Sequence, residues 1–471
     1  MELLSKEESW NLFLDTVGHD VLINNPNLKA IVEEVVKECA RLPLAIITIA
    51  GSFKNIIDVS EWRNALEELR TSIKGPNNVA TEVFKRLQFS YKRLKDEKLQ
   101  HCLLYCALYP EDYEIDRDEL IEHLIDEGVI ERMKSRQAEF DKGHTMLNKL
   151  ENACLLEGGS RDSEYFVKMH DLIRDMALQI AGPKFMVELE DFQDEEKWGK
   201  DLVKVSLMRN YMSEFPYISP RCPKLSTLLL NGNYFNGSIL DSFFVHLHGL
   251  NVLDLSYTCI TSLPSSTSDL ENLTTLRLMD CHSLTHVPSL AKLTALRKLD
   301  ISRSSIKEIP HGLEMLVNLR YLGLDARDLE KMPLGILPKL TQLQLEEIIG
   351  GVSDDEVEEE AEEIEETGMG SNVIFPKLRK LSLLDLPELK TICSSSNVIV
   401  SDSPLQLIYI FRCPKLKRLP LSLRLANGQP SSPPSSLRID IKKEVWELLE
   451  WDNHDTKNVL EPHCWFINDQ A

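Results

Sequence analysis

The sequence predicts a multidomain protein in which an α-helical domain and a winged-helix domain precede an α/β solenoid of leucine-rich repeats. Three observations lead to this prediction. Apolar residues keep helical spacing through the first 150 residues, two short strand-like segments follow, and leucines recur every 23 residues beyond residue 200. A chain of 471 residues is also too long for one compact domain.

Residues 1–78 are predicted to form the first domain, which is helical. Ser5 and Glu8 have the spacing of a capping box, which marks the start of a helix. Pro43 suits the first turn of a later helix, because its missing N–H is not needed there. The Gly75-Pro76 pair predicts the end of the domain.

Residues 79–190 are predicted to form the winged-helix domain. Four helical patterns are followed by a hairpin, whose turn is predicted at Gly158-Gly159. Winged-helix domains often bind DNA. Residues 81–185, however, contain 21 acids against 16 bases and no basic stripe, so we expect no nucleic-acid binding.

The Met169-His170-Asp171 segment is the main candidate site in this domain. Asp171 is predicted to cap the following helix, which leaves His170 at a strand-to-helix junction. Backbone donors and the positive end of the helix dipole attract anions at such a junction. The alternative is a capped core helix without a ligand, since capping signals are common.

Residues 200–471 are predicted to form the repeats. Each unit supplies one short strand, and stacked strands bury the leucines in a continuous core. Leu253, Leu276, Leu299 and Leu322 recur every 23 residues, and Leu343 follows after 21. Twelve acids and no base lie between Glu346 and Glu366, so residues 346–374 are predicted to be a solvated acidic insertion.

The residues between the core leucines are predicted to be exposed on a concave sheet. This column reads Ser206, Leu229, Asp254, Arg277, Asp300, Gly323, Gln344, Ser382 and Tyr409. Its mixed chemistry contains no catalytic set, and a broad variable surface suits protein recognition. We therefore predict a protein-binding surface that includes Asp254, Arg277, Asp300, Gln344 and Tyr409. The alternative is that these side chains are only solvated.

Several classes of function lack their sequence signals. The chain contains no Gly-x-x-x-x-Gly-Lys-Ser/Thr phosphate loop and no Gly-x-Ser-x-Gly elbow, so it is not predicted to be an enzyme. The net charge of −22 disfavours nucleic acid and anionic lipid as partners. Ten cysteines without paired metal spacing predict free thiols and no metal site. With no apolar run long enough to span a bilayer, we expect a cytoplasmic protein.

The order of these motifs resembles the plant nucleotide-binding leucine-rich-repeat (NB-LRR) disease resistance proteins of the coiled-coil class. Residues 41–45 resemble the family's Gly-Leu-Pro-Leu-Ala motif, and residues 102–112 match a second family signature almost throughout. Residues 169–171 correspond to the Met-His-Asp motif. The resemblance identifies residues 1–78 and 79–190 as the two ARC subdomains of the NB-ARC region.

The resemblance also implies how such a protein works. In the family, ADP holds a closed state, and perception of a pathogen effector or a guarded host protein by the repeats allows exchange for ATP. Homo-oligomeric signalling contacts follow. By this resemblance, His170 contacts the ADP phosphates and Pro43 packs near the adenine.

Two departures from the family pattern lower the expectation of nucleotide binding. Arg41 replaces the first glycine of its motif, and no phosphate loop precedes that motif. We therefore expect an N-terminally truncated receptor that by itself binds no nucleotide tightly. The alternative function is a standalone interaction adaptor or decoy, which acts through its repeats without nucleotide.

Overall fold

The computed structural model describes most of the chain as two compact units, residues 1–185 and 186–471. The described residues are 3–467 with gaps at 25, 55, 74–78, 135, 162–163, 188–191, 307, 326–346, 352–379, 385–404, 415, 418, 420–424, 427–428, 431 and 452–453.

The first half of unit 1 is helical, as predicted. Its helices are α1 (Lys6–Val17), α2 (Asp20–Asn24), α3 (Lys29–Glu38), α4 (Pro43–Phe53) and α5 (Val59–Ile73), with a short 3₁₀ turn at Pro26–Leu28. The predicted capping box is present, because Glu8 N–H donates to Ser5 Oγ and Ser5 N–H donates to Glu8 Oε2. Trp62 is fully buried and packs against Phe13 and Phe53, so aromatic packing joins three of these helices.

The second half of unit 1 has the winged-helix arrangement. Its elements are α6 (Val79–Arg93), α7 (Glu97–Cys106), β1 (Ile115–Asp116), α8 (Arg117–Asp126), α9 (Arg136–Asn152), β2 (Glu157–Arg161), β3 (Glu164–Lys168) and α10 (Asp171–Ala181). The three strands form an antiparallel sheet in the order β1-β3-β2. A 3₁₀ turn at Gly182–Lys184 and the two-residue strand β4 (Phe185–Met186) follow α10.

The predicted hairpin turn at Gly158-Gly159 is wrong. Both glycines lie inside β2, where they pair with Val167 and Phe166 of β3. A Cβ atom at Gly159 would lie 2.2 Å from the Phe166 ring. The glycines therefore make room for an aromatic ring across the strand, which is a packing role that resembles a turn signal in the sequence.

Unit 2 is built on one parallel sheet. Its strands are β5 (Lys204–Ser206), β6 (Thr227–Leu229), β8 (Val252–Asp254), β10 (Thr275–Arg277), β11 (Lys298–Asp300), β12 (Tyr321–Asp325), β13 (Glu347–Gly351), β14 (Lys380–Leu384), β15 (Leu407–Phe411), β18 (Arg438–Ile441) and β19 (Cys464–Phe466), in that spatial order. The other elements are β7 (Gly237–Ser238), β9 (Ile260–Ser262), β16 (Leu425–Ala426), β17 (Gln429–Pro430), α11 (Lys443–Leu448), α12 (His454–Leu460), and 3₁₀ turns at 195–197, 265–269, 313–315 and 461–463.

Residues that are 23 positions apart in the sequence lie side by side on neighbouring strands of this sheet. Leu253 pairs with Leu276, Leu276 with Leu299, and Leu299 with Leu322, and all four side chains are fully buried. Leu343, the next predicted member, lies outside the described residues, and Ile348 takes the position beside Leu322. Because each strand has only two neighbours, the solenoid is held by contacts between successive repeats.

The predicted acidic insertion at 346–374 begins too early. Glu347–Gly351 forms β13, which pairs on one side with β12 and on the other with β14. Ile348 and Ile349 are β-branched residues, which favour strands, inside a segment whose charge predicted only a loop. Residues 352–379 lie outside the described residues.

Candidate functional site

His170 is the N-cap residue of α10. Its backbone is extended (φ −67°, ψ 139°), and its Nδ1 accepts the Leu172 N–H at 3.1 Å. The prediction that Asp171 caps this helix is wrong, because Asp171 is already the first helical residue. Because Nδ1 accepts this hydrogen bond, it carries no proton of its own. The ring proton of neutral His170 is therefore assigned to Nε2.

The Tyr109-Pro110-Glu111-Asp112 segment is attached to the same junction by two basic side chains. Arg174 of α10 donates from Nε to the Tyr109 carbonyl at 2.9 Å and from a terminal nitrogen to Glu111 at 3.3 Å. Lys168 of β3 forms an ion pair with Asp112 at 2.6 Å. That contact holds the pKa of the Asp112 carboxyl below its ordinary value. Two segments that the sequence separates by about 60 residues therefore meet around His170.

The same segment is fixed from its other side by a buried hydrogen bond. The Tyr109 hydroxyl lies 2.7 Å from Nδ1 of His123, and both side chains are almost fully buried. The Tyr113 ring stacks on Tyr109 with centroids 5.8 Å apart. The loop after α7 is thus held by hydrogen bonds and ring contacts rather than by regular secondary structure.

Pro43 is the first residue of α4, as predicted, and its Leu42 neighbour is the extended N-cap. The turn before it is unusual, because Ala40 and Arg41 both have positive φ angles of 54° and 61°. This left-handed conformation disfavours any residue with a Cβ atom. Arg41 therefore occupies the position of the family's glycine in the conformation that glycine prefers. Pro43 and His170 lie on different helices, α4 and α10, and each of these helices contacts α6.

Replacing Arg41 by glycine is expected to raise the free energy of unfolding by about 0.5–1 kcal/mol, because the left-handed strain disappears. Urea unfolding of the full chain measures this change. Lys37→Gly is the matched control, since Lys37 lies in the last turn of α3 and glycine there should destabilise by about 1 kcal/mol. Equal destabilisation by both variants would contradict the strain at Arg41.

The described residues fit one nucleotide contact rather than a complete nucleotide site. His170 offers a single donor, Nε2–H, at a helix N-terminus. The Asp171 Oδ1 atom beside it is buried and has no hydrogen-bond donor among the described residues. A carboxylate in this position repels phosphate unless cations offset it. Several convergent donors, which a phosphate requires, are not supplied by His170 and Pro43 alone.

The predicted column lies in register along the sheet, but most of it is not exposed. Register places Asp254 beside Arg277, and Arg277 beside Asp300. Their exposed fractions are only 2, 9 and 6 %, so the expectation of open side chains there is wrong. Strands lie about 4.8 Å apart, so side chains of successive repeats cover one another. Asp254 and Asp300 also accept N–H groups of Ser256 and Ser302, which places both carboxylates in turns of the backbone.

The remaining predicted surface residues have different outcomes. Tyr409 is half-buried and stacks on Phe411, with centroids 6.3 Å apart. Gln344 lies outside the described residues, and the residue in register between Gly323 and Ser382 is Ile349.

A column of left-handed residues was not predicted from the sequence. Each of its members lies three residues after the residue that the same repeat supplies to the predicted column. In the five repeats that supply β5, β6, β8, β10 and β11, its members are Arg209, Gly232, Tyr257, Asp280 and Arg303, with φ between 54° and 73°. The side chains of Arg209, Tyr257 and Arg303 are exposed, and Arg303 forms an ion pair with Asp280 at 2.5 Å. We call these five residues the rim column. Non-glycine residues rarely adopt this conformation, and strained backbone positions cluster at functional sites.

Buried arginines were the other residues that the sequence analysis missed. Arg86 is 5 % exposed and donates to the Glu38 carbonyl at 2.7 Å, which satisfies a carbonyl at the end of α3. Arg174 has the corresponding role at the Tyr109 carbonyl. Both occur within amphipathic helices, where a surface position is the ordinary interpretation of an arginine. The one feature of the sequence that could have predicted their burial is their position on the apolar face of the helix.

Two kinds of feature are absent from the described part of the chain. No helix there has both the length and the apolar character that crossing a membrane requires. No group of three or more histidine, cysteine or acidic side chains there is arranged to hold a metal ion. All nine cysteines that the structure describes are free thiols, and six of them are buried.

Comparison with known proteins matches both units. Residues 108–177 match the family described as "Disease resistance protein Winged helix domain", and residues 223–282 match "Leucine rich repeat". The chain is 34% identical to the disease resistance protein At4g27190 of Arabidopsis thaliana over 73% of its own length and 36% of that relative. It is 32% identical to the disease resistance protein RFL1 of the same plant, over 73% of the chain and 37% of the relative.

A third relative is matched along nearly all of this sequence. The disease resistance protein RPS5 of Arabidopsis thaliana is 28% identical over 95% of the chain and 53% of the relative. The chain therefore spans between about a third and about half of the length of these three proteins. Both family matches, the winged-helix fold and the repeat register agree with the motifs at residues 102–112 and 169–171. The chain belongs to the plant NB-LRR disease resistance proteins.

Proposed function

We propose that this chain supplies the winged-helix regulatory element and the recognition repeats of a plant immune receptor. The repeats would bind a protein, which is either a pathogen effector or a guarded host protein. The observation that carries this proposal is the rim column, because it presents Arg209, Tyr257 and Arg303 at every second repeat of one parallel sheet. Arginine and tyrosine are among the residues that contribute most to protein interfaces.

A protein fits this surface better than a small molecule. Tyr257 is 46% exposed, and it lies on a repeating edge rather than in an enclosed pocket. Tyr211 and Tyr234 extend the same surface and stack at 5.8 Å, with exposed fractions of 72 and 55%. Large aromatic side chains that remain exposed in a regular row mark an interaction surface.

The test compares two rim variants and one control variant of the full chain as bait in extracts of infected leaves. Arg303→Glu and Tyr257→Ala change the rim column, while Lys224→Glu changes an exposed residue whose ion pair with Asp201 lies elsewhere in the repeats. A specific bound protein should be lost with both rim variants and retained with Lys224→Glu. Retention by the rim variants would exclude this edge as the recognition surface.

For the winged-helix element, we propose that His170 donates from Nε2 to a nucleotide phosphate in the complete receptor. Support comes from the capping geometry, which leaves Nε2 as the donor, and from the family's Met-His-Asp motif at the same residues. Pro43 would lie near the adenine by the same resemblance. We further propose that this chain by itself holds ADP at most weakly, since His170 is one donor where several are needed.

Calorimetric titration with ADP tests this part. The chain by itself should show no binding tighter than about 1 mM, which corresponds to about −4 kcal/mol. Joined to the phosphate-loop segment of such a receptor, it should bind ADP, and His170→Ala should weaken that binding about tenfold, which is the effect of one hydrogen bond to a charged group. Micromolar binding by the chain alone would contradict the proposal.

A standalone adaptor or decoy is the second candidate, and unit 2 favours it because the repeats form a compact unit of their own. Both functions require the rim column. They differ in the response to His170→Ala, which should leave an adaptor's protein binding unchanged and should alter a receptor's cell-death response in leaves.

A further inference from the structure

The open face of the repeat sheet changes character at its C-terminal end. Along β15, side chains alternate between core and surface, so Tyr409 and Phe411 share the face opposite the core. Register places Tyr409 beside Asp440 of β18, and Asp440 beside Trp465 of β19. Trp465 is 61% exposed, which is a large apolar area for a surface side chain.

Cationic side chains lie over these rings. Arg438 lies over Trp465 at 4.8 Å from the ring centroid, and Arg412 lies over Phe411 at 5.0 Å. Lys442 approaches the Phe411 ring at 5.9 Å. We call the set the cationic–aromatic face, and its members are Tyr409, Phe411, Arg412, Arg438, Lys442 and Trp465.

The strands at this end and the residues that directly follow two of them carry a local excess of bases. The strands β14, β15, β18 and β19, together with Arg412 and the Lys442-Lys443 pair, contain five bases and one acid, Asp440. The acid is engaged, because its Oδ1 accepts from Arg438 Nε at 2.6 Å. The central strands β8, β10 and β11 contain two acids and two bases, and the chain as a whole has a net charge of −22.

We propose that the cationic–aromatic face binds an acidic segment of a partner protein, with glutamate or aspartate side chains at the cations and apolar side chains on Tyr409 and Trp465. This rests on the recognition role proposed for the repeats and specifies the chemistry of their ligand. A guanidinium over a ring is held in place and partly dehydrated, so it loses less on pairing with a carboxylate. Paired N–H donors then give the carboxylate a defined geometry.

An acidic protein segment fits better than a nucleic acid. Exposed rings and arginines together also suit single-stranded nucleic acid. Nucleic-acid affinity, however, depends on many phosphate contacts, and the acidic remainder of the chain repels a long polyanion. A short acidic segment with apolar residues between its acids would meet the cations without extending onto the acidic surface. Nucleic acid is therefore the competing outcome of the test.

The test uses a fluorescein-labelled peptide with the sequence of residues 354–366, which carries ten acids interspersed with valine, alanine and isoleucine. The matched peptide has every acid replaced by its amide. Fluorescence anisotropy measures binding to the full chain, to R412Q/K442Q and to R412Q/R438Q/K442Q. The first variant leaves the Arg438–Asp440 pair intact, so it remains informative if loss of that pair impairs folding. K224Q/K292Q is the control, because both lysines are exposed and lie in earlier repeats.

We expect the acidic peptide to bind at least tenfold more tightly than the amide peptide. R412Q/K442Q should weaken binding several-fold, the triple variant at least tenfold, and K224Q/K292Q should have no effect. Unchanged binding in the triple variant, or tighter binding of a thymidine 20-mer that the triple variant abolishes, would overturn the proposal.

One further variant separates a partner protein from the chain's own acidic segment. In it, the ten acids of residues 354–366 are replaced by amides within the full chain. Equal peptide affinity supports a partner protein as the occupant, and binding that is detected only in this variant would show occupation by the chain itself. If the peptide fails while the rim variants still lose their bound protein, this proposal is wrong and the recognition role remains.

Discussion

Replacing Arg174 by alanine is expected to lower the free energy of unfolding of residues 1–185 by about 2–4 kcal/mol. Arg174 is 9% exposed, and its Nε donates to the Tyr109 carbonyl at 2.9 Å. Truncation leaves that carbonyl without its donor and removes the bond to Glu111. The loss is large because a buried polar group that loses its donor bears the full cost of dehydration.

Urea unfolding of the full chain, followed by tryptophan fluorescence, measures this effect. Arg161→Ala is the matched control, because Arg161 pairs with Glu114 while its side chain remains 72% exposed, and an exposed pair contributes about 0–1 kcal/mol. Arg174→Lys should recover part of the loss, since a lysine keeps the charge but not the directed donors. Similar stability for Arg174→Ala and Arg161→Ala would show that the carbonyl is satisfied in another way.

The same replacement has a functional consequence if His170 is a nucleotide contact. Arg174 and Lys168 attach the Tyr109–Asp112 segment to the two elements on either side of His170. Releasing that segment should loosen the start of α10 and therefore the position of the His170 ring. Arg174 is a positioning residue in this scheme. His170 ring exchange, observed by nuclear magnetic resonance, would separate this effect from a general loss of stability.

Periodic features could be predicted from the sequence because they repeat one physical requirement. The four leucines from Leu253 to Leu322 must all enter the same core, so the 23-residue period directly gives the strand register. The capping box of Ser5 and Glu8 is equally local, since its two hydrogen bonds join residues three apart. The family signatures at residues 102–112 and 169–171 predicted the family that the comparisons show.

Features that depend on a distant neighbour could not be predicted in this way. Gly158-Gly159 is a residue pair typical of a turn. Glycine is required at position 159, however, because the Phe166 ring of the neighbouring strand occupies the space of a side chain. Asp254 and Asp300 lie at positions that the alternating pattern of the strands predicts to be exposed. Neighbouring repeats bury them, however, and both carboxylates accept hydrogen bonds from backbone N–H groups. The candidate surface is therefore the rim column and not the strand centres that the sequence predicted. The positive φ angles of the rim column have no sequence signature beyond Gly232.

Replacing Leu276 by alanine is expected to cost about 2–5 kcal/mol, because the side chain is fully buried and leaves a cavity between Leu253 and Leu299. A solenoid is stabilised by contacts between adjacent repeats, so the loss should be concentrated near β8, β10 and β11. Hydrogen exchange of backbone amides resolves this distribution along the sheet.

Leu240→Ala is the control for this experiment, since Leu240 is 37% exposed and its loss should change stability by about 0.5 kcal/mol or less. In Leu276→Ala, amides of residues 275–277 should exchange much faster, whereas those of β18 and β19 should keep most of their protection. The cationic–aromatic face would then still bind the acidic peptide while the rim column loses its order. Equal loss of protection in all strands would instead mean that the repeats unfold as one cooperative unit, and the two surfaces would then be coupled through the core.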